Sequence, residues 1–535
     1  MHASLSQKDT GSFWKSWRRL YNKNNSDLPS VVNGISTKKG IADTFKECFK
    51  KNSTPNNQER VDALDQKFAS EYSRYMKQHR EHCDCANTSV TTVHVIDALL
   101  SMKGGKTADE ESIVVEHLHH APLNFLSRLA SLFNCMLKHS FVPLQFQRGF
   151  MIPLIKDQQG NHSDTSNYRG ITISPIISKV FEHVLKNTFF DHLTTSQQQF
   201  GFKRNSSTIH ALHCLRETVD YYVNNDSRVF CTFLDASKAF DRLIHSGLFL
   251  KLIHRKVPVI FLNIIITWYS NLTCRVKWAD QFSDWFAVTA GVRQGGILSP
   301  DFYSIYVDDL ISKLRNCRKG CYVLYFLESF AAALFYADDM AILAPSIRGL
   351  QTLLKICGDY CLEWDICLNP KKSKSMFFGK KLDIPYNLSL NGQAIDWTNE
   401  WVYLGVTLKS NKTFDCSIND RVKKFYKCAN AIFRIDGRSN DMIMLQLVES
   451  HCVPILTYGI EVIRVLNRDE RRQLRVAYNS LFRKIFAFRW SESVTALQAF
   501  LGRPTWEQIV ERRRDGFVNR VRKLDSSSLS RMLLQ

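Results

Sequence analysis

The chain has 535 residues, enough for several domains each burying a core, and 44% are hydrophobic, which excludes a disordered chain. Lysine and arginine number 71 against 51 acidic residues, a net charge of +20. Such an excess implies a polyanionic partner, because each neutralised phosphate releases condensed counterions, but a basic ribosomal or membrane-surface protein would share it.

The 15 cysteines have no regular spacing, and the N-terminal stretch has no apolar core. Both predict a soluble protein of a reducing compartment, nucleus or cytoplasm, rather than a secreted one. Residues 11–80 read as a polar lead-in with scattered helix, in which Phe13, Trp14, Trp17 and Leu20 share a face before "NKNNSDLPS" breaks it. From "TTVHVIDALLSMKGGK" (91–106) to about 155 the pattern is helical, with Val93, Val95, Ile96, Leu99 and Leu100 apolar. In "NYRGITISPIISKVFEHVL" (167–185) a short strand gives way to a helix near Ser174–Pro175, where proline suits the first turn. "HALHCLRETVDYYVNN" (210–225) is another amphipathic helix.

Val229, Phe230, Cys231, Thr232, Phe233 and Leu234 make a largely apolar β-run, and Asp235 stands at its end. The longest apolar run, "VPVIFLNIIITWY" (257–269), is too short to span a bilayer and reads as a buried helix. "SDWFAVTAGVRQGGILSP" (283–300) is a strand, a Gly-rich turn and a helix start at Ser299–Pro300. Asn391–Gly392 is a strong two-residue hairpin signal. Beyond about 415 the chain is helical and basic. The expected division is therefore an N-terminal polar and helical extension (1–90), a mixed core (91–415) and a basic helical region (416–535).

Two tetrapeptides pair a tyrosine with adjacent carboxylates: "YVDD" (306–309) and "YADD" (336–339). In the first, Phe302, Ile305, Tyr306, Leu310 and Leu314 recur at helical spacing. Asp308 and Asp309 then lie on a helix and are expected to face solvent or a local lysine. The second is flanked by apolar residues, so Asp338 and Asp339 fall where two strands meet at a tight turn. Turn chemistry alone accounts for an Asp pair there. Asp235 tips the balance, because a third strand-end carboxylate beside the pair makes a site for two divalent ions. Mg²⁺ suits such a site, with Mn²⁺ as an alternative, since it takes oxygen ligands and retains waters.

"FLDASKAFD", "GVRQGGILSP", "YADD", "LNPKKSK" and "VYLGV" occur in the order of the palm motifs of reverse transcriptases. More narrowly they resemble those of non-LTR (LINE-type) retrotransposons. "VPLQFQRGFMIPLIKD", "NYRGITISPIISKVFEHVL" and "QFGFKRNSST" are similar to that family's fingers segments. The likeness covers about residues 90–415 and, more loosely, the basic C-terminal helices. It implies an α+β right-hand polymerase: fingers, a palm with an antiparallel sheet and flanking helices, and a helical thumb. The implied activity is RNA-directed DNA synthesis from a 3′-hydroxyl primer, with an RNA template, a DNA primer or target and dNTPs as partners, and no membrane.

By the same resemblance Asp235, Asp338 and Asp339 are the metal-binding aspartates, Asp338 matching the more strictly required position. Asp241 reads as structural, capping or pairing with a nearby base. Phe240 matches an aromatic beneath the incoming sugar that selects deoxynucleotides; a core phenylalanine is the rival reading. Gln294 and Gly295 fall in the nucleotide pocket, where glycine permits close backbone approach and the amide hydrogen-bonds. Arg169 and Lys203 correspond to cations that meet the triphosphate, though either could be an ordinary surface cation. Lys372 aligns with the lysine that protonates departing pyrophosphate, with Lys371 and Lys374 near enough to contest the register. Trp401 or Tyr403, in the hairpin expected to support the primer end, could equally serve strand packing.

"HREHCDC" (79–85) concentrates His and Cys, but too tightly for a zinc site and without a second pair. Cys357, Cys361 and Cys367 are expected to pack as small apolar residues. Two stretches depart from the family pattern. "GGKTADEESIVVEHL" replaces an expected Gly-Lys-Ala with following Gly and Asp-Gly, and "VLYFLESFAAALF" lacks a turn glycine. No endonuclease pattern or RNase H segment is evident, so the expectation is the polymerase part of a larger element or a truncated copy. The competing readings are a catalytically inactive nucleic-acid-binding remnant, a viral RNA replicase and an intron maturase. Phe240 and the motif order disfavour the replicase, and no distinct maturase domain is visible.

Overall fold

The computed structural model describes residues 28–79, 89–236, 240–323, 329–382, 387–436, 440–463 and 467–534. The expected helical face of Phe13, Trp14, Trp17 and Leu20, all but His79 of the His/Cys cluster, and residues 324–328 of the glycine-lacking stretch lie outside them.

The strands are β1 (Arg148–Ile155), β2 (Tyr168–Ile173), β3 (Val229–Asp235), β4 (Thr273–Trp278), β5 (Gln281–Phe282), β6 (Phe286–Ala287), β7 (Tyr322–Val323), β8 (Ser329–Phe330), β9 (Ala333–Tyr336), β10 (Asp339–Ala344), β11 (Lys374–Phe378), β12 (Leu388–Leu390), β13 (Gln393–Trp397), β14 (Glu400–Tyr403), β15 (Val406–Lys409) and β16 (Asp415–Ser417). Five helices position the site: α1 (Lys38–Asn52), α2 (Ile176–Thr188), α3 (Thr208–Asn224), α4 (Ser299–Asn316) and α5 (Ile347–Glu363).

A six-stranded sheet in the order β12-β13-β11-β3-β10-β9 forms the centre. Its middle pairings are antiparallel, β3 with both β10 and β11. Six of the seven β3 residues are buried, because α3 and α5 both pack on this strand. A strand covered on both faces needs a continuous apolar run, which is why Val229 to Leu234 do not alternate. The second sheet runs β2-β1-β4-β5, with β6 also on β4. Aromatic packing of Phe45 from α1 against Tyr168 and Trp278 ties α1 to it.

The Asn391–Gly392 hairpin follows its turn signal, and the hairpin expected at "VYLGV" from the family resemblance is also formed. Asn391 and Gly392 join β12 to β13 with φ of 50° and 79°, and Leu404 and Gly405 join β14 to β15 with 45° and 76°. Positive φ at both central residues matches the right-handed twist of the flanking strands. Tyr403 is buried and lies 4.8 Å, ring to ring, from Phe233, and half-buried Trp401 packs against the core. Residues 259–270 form the buried helix expected from the long apolar run. Among the described residues no helix is long and apolar enough to cross a membrane.

Two packing expectations need correction. Val93 and Leu100 lie on the predicted helix Thr92–Ser101 but are 60% and 75% exposed, because the core side of this helix is formed by Val95, Ala98 and Leu99 with partly buried Ile96. Cys367 is exposed, whereas Cys357 and Cys361 are buried in α5. The departing stretch at 104–118 supplies buried Asp109, whose carboxylate accepts from the backbone N–H of Ile113 and of Ile176 at 2.8 Å each. It therefore closes its own turn and caps α2.

Candidate active site

β3 and β10 run antiparallel with Asp235 directly opposite Asp339. Directly opposed residues have Cβ atoms about 4.5–5.5 Å apart. β9 and β10 are joined by Ala337 and Asp338 alone, so the third carboxylate sits in the turn itself. Ala337 takes a left-handed φ of 57°, uncommon for a residue with a Cβ. It is held there from outside the hairpin: the Gln199 side-chain carbonyl accepts from the N–H of Ala337 at 3.2 Å. Phe200 N–H donates to Phe335 and Phe335 N–H to Gln198, laying the "QFGF" segment along β9. A Cβ on Gly201 would come within 2.5 Å of the Ala337 nitrogen, so glycine is required there. Gln199 and Gly201 carry no acid–base or metal chemistry, and the sequence offered no sign of this supporting role.

The three carboxylates crowd one another electrostatically. Burial, then the charges of Asp338 and Asp235, pushes the Asp339 carboxyl up to about 6, although the side chain reaches the surface. Asp338 is also raised, first by burial and then by Asp235, while Arg169 opposes the shift. Like charges held this close favour a counter-cation, and the donor set is all oxygen, as hard divalent ions prefer. Among the described residues no group of three or more His, Cys, Asp or Glu side chains is placed so that it could already hold a metal ion. An open carboxylate set fits an ion that keeps waters and substrate oxygens as its remaining ligands.

Beside the carboxylates is a cleft of about 810 Å³ lined by Asp235, Asp338, Phe240, Gln294, Gly295, Arg169 and Lys372, among others. Lys372 arrives there through the turn after α5. Asn369 N–H donates to the Asp235 carbonyl at 2.9 Å, and Asp235 N–H donates to Ser373 Oγ at 3.3 Å. Lys374, by contrast, is on β11 and pairs with Asp396 at 2.6 Å, so it does not line the cleft.

The "RQGG" turn is fastened on two sides. Gly291 and Val292 N–H groups donate to the carbonyls of Leu243 and Phe240, and Thr172 N–H donates to the Gln294 carbonyl at 2.7 Å. Gly295 has φ of 120°, and a Cβ there would lie 2.6 Å from the Thr172 oxygen. The Gln294 amide donates to Asp241 at 2.5 Å. Asp241 thus orients the glutamine amide, where the sequence suggested a cap or a basic partner. Phe240 stacks on buried Tyr303 of α4, centroids 4.5 Å apart at 24°, and meets Phe202 edge-on at 5.8 Å. One face of the Phe240 ring is therefore occupied by Tyr303, while the residue still borders the cleft.

Lys203 is not brought to the cleft. Its Nζ donates to the carbonyls of Thr195 and Ser196, at 2.8 and 2.5 Å, and burial holds its pKa down to about 8. Asp308 and Asp309 are on α4 as expected, and Asp309 meets a lysine with its side chain 46% exposed, but Asp308 is buried rather than solvated. Asp308 is buried and accepts from Arg255 at 2.5 Å and from Ser196 N–H at 2.8 Å. Asp309 pairs at 2.6 Å with Lys251, which is 2% exposed and sits 3.4 Å over the Trp364 ring.

A mostly antiparallel sheet carrying an opposed carboxylate pair at a strand turn, next to a glycine-lined cleft, is the arrangement expected of a polymerase palm. Residues 155–408 match the family described as "Reverse transcriptase (RNA-dependent DNA polymerase)". The chain is 26% identical over 457 residues to the "Probable RNA-directed DNA polymerase from transposon BS" of Drosophila melanogaster, covering 82% of this chain and 49% of that protein. To the corresponding protein of transposon X-element, also from Drosophila melanogaster, it is 24% identical, covering 93% and 54%. The chain thus spans about half the length of these relatives. A solved structure of apo telomerase from Candida tropicalis is similar at 13% identity and a TM-score of 0.38, over 77% of this chain and 74% of that one. Residues 155–408 thus carry a reverse transcriptase domain by their family match, and the chain as a whole is similar to the RNA-directed DNA polymerases of mobile elements.

Proposed function

We propose that the chain is an RNA-directed DNA polymerase that extends a 3′-hydroxyl primer on an RNA template. The observation that carries this reading is the pairing of Asp235 opposite Asp339, with Asp338 in the turn, at the edge of a cleft that also holds Phe240, Gln294 and Lys372. Asp235, Asp338 and Asp339 would hold two divalent cations, Mg²⁺ by preference. When bound, such ions lower the pKa of the primer hydroxyl and neutralise charge on the leaving pyrophosphate.

The chain's own residues do the rest. Gln294, oriented by Asp241, and the Gly295 backbone seat the incoming dNTP. Phe240, backed by Tyr303, closes the space a 2′-hydroxyl would need. Lys372 supplies a proton to the departing pyrophosphate, and Arg169 answers charge near Asp338. Lys203 is left out of this group and buttresses the turn at 194–204. Residues 91–415 act as fingers and palm, and 416–535 as a basic thumb that holds the RNA–DNA duplex.

The test is primer extension on an RNA template with Mg²⁺ and dNTPs. Extension by the parent chain, and entry of ribonucleotides with Phe240→Val, is the expected result. Nucleic-acid binding without extension would instead support an inactive remnant. An unchanged sugar preference in Phe240→Val would remove the gate assignment.

A further inference from the structure

The second sheet carries a feature that the polymerase chemistry does not use. On one face of β1, β4 and β5, with Trp285 from the segment after β5, six side chains alternate cation and ring, the last of them buried: Arg148, Trp285, Arg275, Phe282, Lys277, Phe150. The Arg148 guanidinium lies 5.3 Å from the Trp285 ring, and Arg275 lies 4.8 Å from that ring and 3.9 Å from Phe282. The Lys277 ammonium is 5.4 Å from Phe282 and 5.6 Å from Phe150. The parallel register of β1 and β4 pairs Arg148 with Thr273 and Phe150 with Arg275, which puts the series on one face. A concavity of about 480 Å³, lined mainly by apolar groups including Phe150, Ile152 and Phe282, adjoins it.

Of the acids near this face, two are held by cations outside the ladder and one neutralises Arg275 within it, which leaves Arg148 and Lys277 as its unpaired charges. Asp280 is taken by Lys38 at 2.7 Å and Asp284 by Lys39 at 3.2 Å, while Glu110 pairs with Arg275 at 2.5 Å. Among the described residues neither Arg148 nor Lys277 has a carboxylate partner. The face therefore presents uncompensated positive charge interleaved with rings, the combination that holds unpaired nucleic acid by phosphate contact and base stacking. A duplex hides its base faces and cannot use the rings. Met151, next to Phe150 on β1, borders the cleft, so the ladder lies on the opposite face of this strand from the cleft.

We propose that this ladder is a docking surface for a single-stranded stretch of the RNA template outside the cleft; the identity of the strand as template rests on the polymerase reading above. The phosphates meet Arg148 and Lys277, and a base stacks at Trp285 or enters the adjoining concavity. The rival is purely structural, cations over rings that fasten the β4–β5 hairpin at about 0.5–1 kcal/mol each.

The test is fluorescence anisotropy of the full chain with a short labelled oligouridylate, without dNTPs. Parallel arms use an RNA hairpin duplex and oligothymidylate. Trp285→Ala is expected to weaken oligouridylate binding about tenfold, one base stack, and to leave duplex binding unchanged. Arg148→Gln with Lys277→Gln is expected to lower the slope of log Kd against log salt by about 1.4, two single-strand phosphates at roughly 0.7 each. Lys277→Arg should restore half of that slope when paired with Arg148→Gln.

Unchanged affinity and slope in variants that melt like the parent would overturn the proposal in favour of the structural role. An equal loss on duplex RNA would reduce it to non-specific charge, and an equal loss on oligothymidylate would overturn the assignment to RNA. If Trp285→Ala does not fold, the double glutamine variant at these outward-facing cations still decides. Asp338→Ala separates the two readings. It should bind oligouridylate like the parent, and failure of extension in the parent would sink the polymerase reading while leaving this binding result intact.

Discussion

Two segments that differ by one residue, "YVDD" and "YADD", end in opposite chemical states. At 336–339 the carboxylates gather at a strand turn, where burial and mutual repulsion raise Asp338 and Asp339 and leave them needing cations from outside. At 306–309 each carboxylate already has a cation from the chain, Arg255 for Asp308 and Lys251 for Asp309. The two are also mechanically connected. Asp308 holds Ser196 N–H, and three residues later Gln199 holds Ala337 N–H in the other turn. The helical pair is thus a support for the loop that braces the site. The lesson is that a carboxylate pair is defined by whether the fold supplies its counter-charge.

The largest effect expected from breaking this contrast is at Asp338. Asp338→Ala should cut primer extension about a thousandfold, roughly 4 kcal/mol of barrier, while leaving the thermal midpoint equal to or above the parent's. The midpoint is not lowered because removing one of three repelling carboxylates relieves strain. A variant that loses activity by unfolding would contradict this account of the site.

Asp308→Ala should do the reverse. It leaves Arg255 without its carboxylate and the Ser196 N–H without an acceptor, a change of the kind that costs about 3 kcal/mol. Chemical denaturation should show that loss. Extension measured well below the midpoint should stay within a few-fold of the parent, with unchanged dependence on Mg²⁺ concentration. A shifted Mg²⁺ dependence would mean that Asp308 belongs to the metal site after all.

How far such contrasts could be read in advance follows from the range of the forces involved. The strand β3, the Asn391–Gly392 hairpin and the helix starts at Pro175 and Pro300 depend on residues within a few positions, and periodicity or turn chemistry announces them. The acid turn was legible only through Asp235, a third strand-end carboxylate beside a pair that turn chemistry alone could explain, and the fold sets it opposite Asp339. What could not be read is the long-range partner. Nothing near Asp309 points to Lys251, nothing near Ala337 points to Gln199, and nothing in "FKRN" says that Lys203 turns back to the carbonyls of Thr195 and Ser196. Asp109 is a similar case: a stretch that looked divergent supplies the cap of a helix far along the chain.

The smallest effect, and the one most particular to the acid turn, is its pH dependence. Asp339 is raised to about 6 from the ordinary 3.8. A carboxyl raised on folding binds its proton more tightly in the native than in the unfolded state. Between about pH 4 and 6 the native chain then holds more protons, so stability must fall as pH rises across that window and level off above it. Denaturation in a chelator should show this fall, and Asp339→Asn should flatten it. Mg²⁺ should restore the lost stability above pH 6 and do little at pH 4, because it competes with the proton for the same oxygens. The paired carboxylates of "YVDD" predict no such compensation, so Asp309→Asn should leave the Mg²⁺ response intact. A response that survives Asp339→Asn and disappears with Asp309→Asn would reverse the assignment of the two pairs.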